Sequence, residues 1–123
     1  MTTTKNQKPN RKIIGKIGET LAKKVLLKKG YEILETNWGN KWGEIDIIAK
    51  QQATLVFVEV KTKTGTNFGT PETMISARKL KQITKMAETY PQENNQTKRI
   101  DVIAVILDTV CRPTNIRHYR AVY

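Results

Sequence analysis

Apolar residues recur along the chain with two different periods, and these periods predict the order of helices and strands. Four apolar residues near the N-terminus are three or four positions apart: Ile14, Ile17, Leu21 and Val25. This spacing predicts a helix over residues 14–29 that turns one apolar stripe toward a core. Gly30 follows this segment directly and is the residue type that most often terminates a helix.

The following segments are shorter and rich in β-branched residues, which is typical of strands. They predict strands over residues 31–37, 44–49 and 54–62, a helix over 71–90, a buried strand over 99–107 and an edge strand over 116–123. Residues 51–54 are expected to connect the second and third strands as a hairpin. The order α-β-β-β-α-β-β predicts an α/β fold, a mixed central sheet flanked by helices.

The charge balance points to an anionic partner. The chain has 22 Lys and Arg against 11 Asp and Glu, a net charge of +11. Such an excess favours binding to nucleic acid, and less often to an acidic membrane surface, although it also serves solubility alone. Residues 1–12 carry four cations and no acid, which predicts a disordered basic tail before a single domain over residues 13–123.

Other features of the composition narrow the class of protein. Cys111 is the only cysteine, so the chain has neither an internal disulfide nor a zinc site built from cysteines. The N-terminal residues contain no apolar segment of a secretory signal, and no run approaches the ~20 apolar residues of a membrane span. We therefore expect a cytoplasmic protein without a membrane partner.

Charged residues interrupt the two most apolar strands of the predicted hairpin. Asp46 lies within the first strand, and Glu59 and Lys61 lie within the second. Alternation places Glu59 and Lys61 on one face, and it places Asp46 on the opposite face from Ile45 and Ile47. Hairpin pairing brings Asp46 beside Glu59, while Glu19, at the edge of the apolar face of the first helix, can approach from outside the sheet.

Two carboxylates in contact need compensation. At ~4 Å they repel by about 4 kcal/mol at an effective dielectric of 20. Mg²⁺, for which Mn²⁺ can substitute, prefers oxygen ligands, and Asp46, Glu59 and the Val60 carbonyl would form a partial site completed by water. Lys61 would then stand beside a water and a phosphate, the arrangement needed for phosphodiester hydrolysis.

Salt bridges are the alternative interpretation of the same charges. Glu59 would pair with Lys61 along one strand, and Asp46 would pair with Lys41 or Lys63. Glu44, two residues before Asp46, is either a second ligand or, as we favour, a solvated charge at a strand end.

The Asp46 and Glu59-Val60-Lys61 arrangement resembles the PD-(D/E)XK nuclease signature. The surrounding sequence is similar to the YraN family of small bacterial proteins, which are predicted endonucleases. The similar stretches are residues 18–22, 30–34, 37–38, 43–49, 56–61, 68–72 and 99–105, with Lys79 and Ala87. Archaeal Holliday junction resolvases have a similar order of helix glutamate, aspartate and Glu-X-Lys.

This resemblance implies a restriction-endonuclease-like core with Glu19, Asp46, Glu59 and Lys61 in catalytic roles. It implies a metal-dependent DNA endonuclease, acting by analogy on branched or unusual DNA, and a homodimer is compatible with it. The alternative is a nucleic-acid-binding module on the same fold that does not cut. Four lysines are expected to contact phosphates: Lys12, Lys16, Lys63 and Lys79.

Several other polar and aromatic residues are open to more than one role. Asp101 follows Arg99 at strand spacing, and we expect a structural pair. His118, the only histidine, is expected at the surface or on a phosphate. Trp42 could stack on a base, although packing in the core or hairpin is favoured.

Overall fold

Five strands form one mixed sheet with helices on both faces in a computed structural model, which describes residues 10–65, 69 and 71–123. The elements are α1 (Arg11–Lys28), β1 (Glu32–Asn40), β2 (Gly43–Gln51), β3 (Thr54–Thr64), α2 (Pro71–Met74), α3 (Ala77–Thr89), β4 (Thr97–Leu107) and β5 (Pro113–Tyr119). The predicted α/β class and element order are confirmed. No helix in the described part of the chain is long and apolar enough to cross a membrane.

The strands lie side by side in chain order, β1-β2-β3-β4-β5. Only β3 and β4 are parallel, and the other neighbours are antiparallel. Pairing of Gln51 with Thr54 closes the predicted hairpin between β2 and β3. The parallel pair needs a crossover connection, and α2 and α3 supply it.

Each face of the sheet has its own apolar core. Alternation along β3 sends Val56 and Val58 to the core beneath α1, which contributes Ala22 and Leu26. The intervening Phe57 belongs to the core on the α3 side. The two helices therefore lie against opposite faces of the strands that carry the candidate site.

Helix α1 begins at Arg11, three residues earlier than the spacing of apolar residues predicted. The Asn10 side chain caps it by accepting a hydrogen bond of 2.9 Å from the Ile13 backbone N–H. Arg11 and Lys12 therefore lie in the first turn of the helix, and their assignment to a disordered tail is wrong. The rest of the predicted tail, residues 1–9, lies outside the described residues.

The second predicted helix is broken in two. Ser76 has an extended backbone, with φ −74° and ψ 157°, and its side chain accepts a hydrogen bond of 3.1 Å from the Lys79 N–H. Serine at this position satisfies a free donor of the new helix end, so α3 starts afresh at Ala77. The break places Lys79 in a first turn close to the N-terminal part of β2.

A buried polar cluster at the start of β4 corrects the expectation for His118. The His118 side chain is only 2% exposed, and its Nε2 lies 2.7 Å from Asp101 Oδ2. Arg99 Nε donates to Asp101 Oδ1 at 3.0 Å, which confirms the expected structural pair. His118 on β5 pairs with Ile103, whose side chain belongs to the core on the α1 side. Because paired residues of neighbouring strands share a face, the imidazole lies on this side of the sheet and is shielded from solvent.

Candidate active site

The candidate site lies where β2 and β3 diverge. Their regular pairing ends at Ile47 and Val58, so the next residues along each strand are Asp46 and Glu59. The Val60 N–H, which would otherwise face a strand partner, donates instead to Asp46 Oδ2 at 2.8 Å. The carboxylate of Asp46 therefore replaces the backbone partner and is fixed beside Glu59.

An interruption of the strand alternation in β2 positions Asp46. Ile45 packs in the core on the α3 side, whereas Ile47 packs in the core on the α1 side. The expectation that both isoleucines share a face is therefore wrong, because alternation is interrupted at Asp46. On β1 the facing residue is Asn37, whose φ of +50° lies in the left-handed region that asparagine tolerates better than most residues.

Asn37 joins two carboxylates that come from different elements. Its Nδ2 donates to Glu19 Oε1 at 3.1 Å and lies 3.3 Å from Glu44 Oε1. Glu19 is thereby held toward the sheet from α1, as expected, and Glu44 is held as well, although its side chain is exposed. No role was predicted for Asn37 from the sequence. The only signal was its place in residues 37–38, one of the stretches similar to the YraN family.

Close packing of α1 on β3 brings Glu19 to the site. Gly18, the residue before Glu19, is buried, and a Cβ at this position would collide with the Thr62 side chain. Glycine thus allows the helix backbone to approach the strand that carries Glu59. A larger residue would push α1 away and take Glu19 with it.

Burial dominates the electrostatics of the two central carboxyl groups. Burial and the charge of Asp46 raise the pKa of Glu59 to about 8. Burial also raises the pKa of Asp46, although the Val60 N–H and Glu59 hydrogen bonds oppose this shift. Because both pKa values are raised, the pair of carboxyl groups tends to retain one proton at neutral pH. Among the described residues, Glu59 Oε1 is buried without a hydrogen-bond partner.

Glu19 titrates under the same influences. Desolvation raises its pKa, the hydrogen bond from Asn37 lowers it, and the charges of Asp46 and Glu44 raise it again. The influence of Asp46 on Glu19 shows that helix and sheet carboxylates belong to one electrostatic cluster. The charge of Lys23, one turn along α1, lowers the pKa of Glu19 but is the smallest of these influences.

Lysines border the carboxylates without forming ion pairs with them. In the described part of the chain the ion pairs within 4.0 Å join Arg99 or His118 to Asp101 and Arg112 to Asp108, so the salt bridges proposed for Glu59 and Asp46 are not formed. Lys61 is exposed, yet its charge lowers the pKa of Glu59 against the larger effect of burial. The charge of Lys79 opposes the same shift more strongly and also acts on Asp46.

A groove of about 570 Å³ opens from the site toward the start of α1. Its wall on α1 contains Arg11, and its wall on β3 runs over residues 59–64 and includes Lys61 and Lys63. Lys12 and Lys16 are exposed on the first turns of α1 but do not line this groove. The structure thus brings Lys63 to the site and leaves the two α1 lysines on the neighbouring helix surface.

Comparison with known proteins places the chain in a family. The model of the uncharacterised protein family UPF0102 matches residues 18–105, which contain every candidate catalytic residue. The chain belongs to UPF0102. It is 44% identical over 105 residues to the UPF0102 protein of Caldanaerobacter subterraneus subsp. tengcongensis, covering 83% of this chain and 86% of the relative.

Other bacteria carry similar UPF0102 proteins. A Clostridium botulinum (strain Loch Maree) protein is 46% identical over 103 residues, covering 80% of this chain and 84% of the relative. A Nocardia farcinica protein is 37% identical over 117 residues, covering 93% and 91%. These matches support the YraN-like resemblance as far as UPF0102 membership.

The donor atoms at this UPF0102 site are all oxygen. Among the described residues no three His, Cys, Asp or Glu side chains come together closely enough to hold a metal ion, so Asp46 and Glu59 form a two-carboxylate set. In an extended strand the N–H and C=O of one residue face the same neighbour, so the Val60 carbonyl faces the same side as its N–H, toward Asp46. Mg²⁺ and Mn²⁺ fit this set, because they accept few protein oxygens and retain water.

Proposed function

We propose that this protein is a metal-dependent DNA endonuclease of the PD-(D/E)XK type. The observation that carries the proposal is the contact between Asp46 and Glu59 at the point where two apolar strands diverge. Two half-buried carboxyl groups side by side are costly, and neither has an arginine or lysine within ion-pair distance among the described residues. A divalent cation offsets that cost and satisfies the unpartnered Glu59 Oε1.

Asp46, Glu59 and the Val60 carbonyl would hold the Mg²⁺ or Mn²⁺ ion. When bound, it would supply Lewis-acid stabilisation of the charge that develops on the phosphate. Binding requires that Glu59 lose its proton, so the affinity for the ion should rise as the pH approaches 8.

Charged side chains around the pair supply the remaining chemistry. Lys61 can orient a water for attack and donate to a phosphate oxygen, because its ammonium is exposed and makes no ion pair with Glu59. Lys79 adds a second positive charge from α3. Glu19, held by Asn37, can accept a hydrogen bond from the attacking water on the α1 side.

DNA as substrate is supported by charge. A net charge of +11 surrounds a small acidic site, and Lys12, Lys16 and Lys63 are placed on or near the groove that leads to it. Phosphate contacts from such lysines give affinity without sequence preference. Branched DNA is proposed as the preferred form because of the similarity to archaeal Holliday junction resolvases.

A cleavage panel tests the proposed activity. End-labelled linear, flap, fork and four-way DNA are incubated with the protein and Mg²⁺ or Mn²⁺, and Asp46→Asn serves as the inactive variant. We expect cleavage that needs the metal and is lost in Asp46→Asn, while Lys28→Ala, at the far end of α1, cuts like the parent. Cleavage that survives in Asp46→Asn would place the activity elsewhere or in a contaminant.

Metal binding provides a separate readout. Because an ion bound only to the folded state must stabilise it, Mn²⁺ should raise the melting temperature of the parent and leave that of Asp46→Asn unchanged. Equal responses of the two proteins would contradict the assignment of the ligands.

A nucleic-acid-binding module that does not cut is the second candidate. It is favoured by the proton that Glu59 retains up to about pH 8 and by the small number of carboxylates in the set. DNA binding without cleavage on every substrate, at pH values above 8 as well, would favour this candidate.

A further inference from the structure

A cluster of cations lies beside the candidate site on the α3 side of the sheet. We call it the hairpin shelf: Lys41, Trp42, Arg78, Lys79 and Lys85. The first two residues form the turn between β1 and β2, and the other three belong to α3. Arg78 is one turn before Gln82 on the helix, and therefore shares the face that meets the hairpin.

The β1–β2 turn is fixed against α3. The Gln82 side-chain amide donates to the Trp42 carbonyl, and Gly43, at φ +143°, leaves space that a Cβ would take from Gln82. Asn40 accepts a hydrogen bond of 2.8 Å from the Trp42 N–H and contacts Thr89 at 3.4 Å. The shelf is thus a joined surface of strand turn and helix.

The cations of the hairpin shelf lie around the Trp42 ring and along α3. Lys85 Nζ lies 4.4 Å and Lys41 Nζ 5.2 Å from the centroid of the Trp42 ring, which is 39% exposed as a residue. None of the four cations forms an ion pair within 4.0 Å among the described residues. The Trp42 ring thus has two ammonium groups close to it, and an external anion bound there would interact favourably with both.

The shelf reaches the candidate site through Lys79. Its Nζ lies 3.5 Å from the Glu44 carbonyl, two residues before Asp46. Glu19 and the groove with Arg11 and Lys63 approach the carboxylates from α1, on the opposite face of the sheet. The carboxylate pair therefore lies between two positively charged surfaces.

We infer that the hairpin shelf binds the sugar-phosphate backbone of a nucleic-acid segment distinct from the one that contacts α1. The inference rests on the proposed function for the identity of the substrate, and it adds that the substrate spans both sides of the site. Phosphates are the favoured anion because the shelf offers separated point charges around a single aromatic ring, whereas charged residues are depleted at the core of interfaces between proteins.

Charge reversal tests this contact without cleavage. Binding of a fluorescein-labelled four-way DNA is measured by anisotropy at several salt concentrations, in Asp46→Asn protein without divalent metal. Adding Lys41→Glu and Lys85→Glu together should lower the affinity for DNA at least tenfold more than Lys28→Glu does. The slope of log affinity against log salt concentration should become shallower by about 2, because each lost phosphate contact reduces it by about 1. Lys28→Glu makes the same change of charge per residue in the last turn of α1.

Trp42 itself provides a local readout. Addition of the DNA should change tryptophan emission in the protein with native Lys41 and Lys85, because the ammonium groups move from the ring to phosphates. The change should be lost in Trp42→Phe, leaving the signal of the half-buried Trp38.

The outcomes separate this inference from the proposed function. The shelf variants and Lys28→Glu could weaken strong DNA binding equally for each reversed charge. This result would overturn the inference that the hairpin shelf binds DNA and would leave the nuclease proposal standing. Absence of DNA binding by the parent overturns both. Displacement of the DNA from the shelf by poly-glutamate at equal charge concentration, with loss of the Trp42 signal, would assign the surface to an acidic protein and overturn the inference.

Discussion

Two buried carboxylate clusters at different places on the same sheet are stabilised in opposite ways. Asp101 is fully buried, and Arg99, His118 and the Ala121 N–H all bond to it. Although burial raises its pKa, these hydrogen bonds and the charge of Arg99 lower it overall. Asp46 instead has Glu59 as its neighbour, and the pKa values of both are raised.

Under the proposed function, the difference is that between a carboxylate used for stability and a carboxylate that binds a metal ion. The Asp101 cluster connects the start of β4 with β5, and Arg99 extends it to Tyr31, just before β1, and to Gln51, the last residue of β2. Its charge is satisfied within the protein. The Asp46 pair is satisfied only in part, so its remaining electrostatic cost is available to favour a cation. Burial alone therefore does not identify a site, but burial with unsatisfied charge does.

The largest expected effect is on the Asp101 cluster. Asp101→Asn should lower the free energy of unfolding by about 3–5 kcal/mol, because Arg99 loses its buried counter-ion. The measurement is urea denaturation followed by circular dichroism. Asp46→Asn is the matched comparison and should be neutral or stabilising without metal, because it removes a partly buried charge and keeps a side-chain oxygen that can accept from the Val60 N–H. Equal losses in both variants would remove the distinction between the two clusters.

Lys61→Ala should affect activity rather than folding. Loss of a positioned charge at the phosphate should lower the cleavage rate by about 10²–10³-fold, with a melting temperature close to that of the parent because Lys61 is exposed. Single-turnover cleavage of the best substrate and a thermal melt measure the two effects. A variant that cuts at nearly the parent rate, or one that unfolds in metal-free buffer, would contradict this role.

The pH dependence of stability should show both clusters. Since the pKa of Glu59 is raised from 4.5 to about 8 in the folded protein, its contribution is complete below pH 4.5 and is lost as the pH rises to about 8. One proton changes the free energy of unfolding by at most about 1.4 kcal/mol per pH unit. Glu59→Gln should flatten this limb in metal-free denaturation curves.

The acidic limb, to which Asp101 contributes, has the opposite sign. Because the folded-state pKa of Asp101 is lowered from 3.8, its contribution is present above that value and is lost as the pH falls further. Glu59→Gln should leave this acidic limb unchanged. A neutral limb that persists in Glu59→Gln would assign it to another group.

The smallest effect is expected at Asn37. Asn37→Gly keeps a residue that tolerates positive φ but removes the amide that holds Glu19, and cleavage should fall about tenfold, equivalent to about 1.4 kcal/mol. Asn95→Gly is the control, because Asn95 also has positive φ, +69°, and is exposed. Equal activity of the two variants would show that the Asn37 bridge has no part in catalysis.

Local sequence patterns predicted the order of helices and strands and the meeting of Asp46 with Glu59. The short connection over residues 51–54 fixes the register in which β2 pairs with β3. Continuing that register away from the turn sets Asp46 opposite Glu59. The Glu-Val-Lys spacing also placed Lys61 on the same strand face as Glu59. These features depend on neighbours along the chain, so periodicity was sufficient to predict them.

Contacts between distant segments decided the rest. Several features of the site depend on contacts between separate elements. They are the bridge from Asn37 to Glu19, the approach of Lys79 to Glu44 and the burial of His118 against Asp101. The two-residue period of a strand carries no information about where two strands diverge or which helix turn faces the gap. The sequence by itself therefore determined which carboxylates meet, while the tertiary structure decided which groups surround them, because burial and hydrogen bonding are set only when the elements pack.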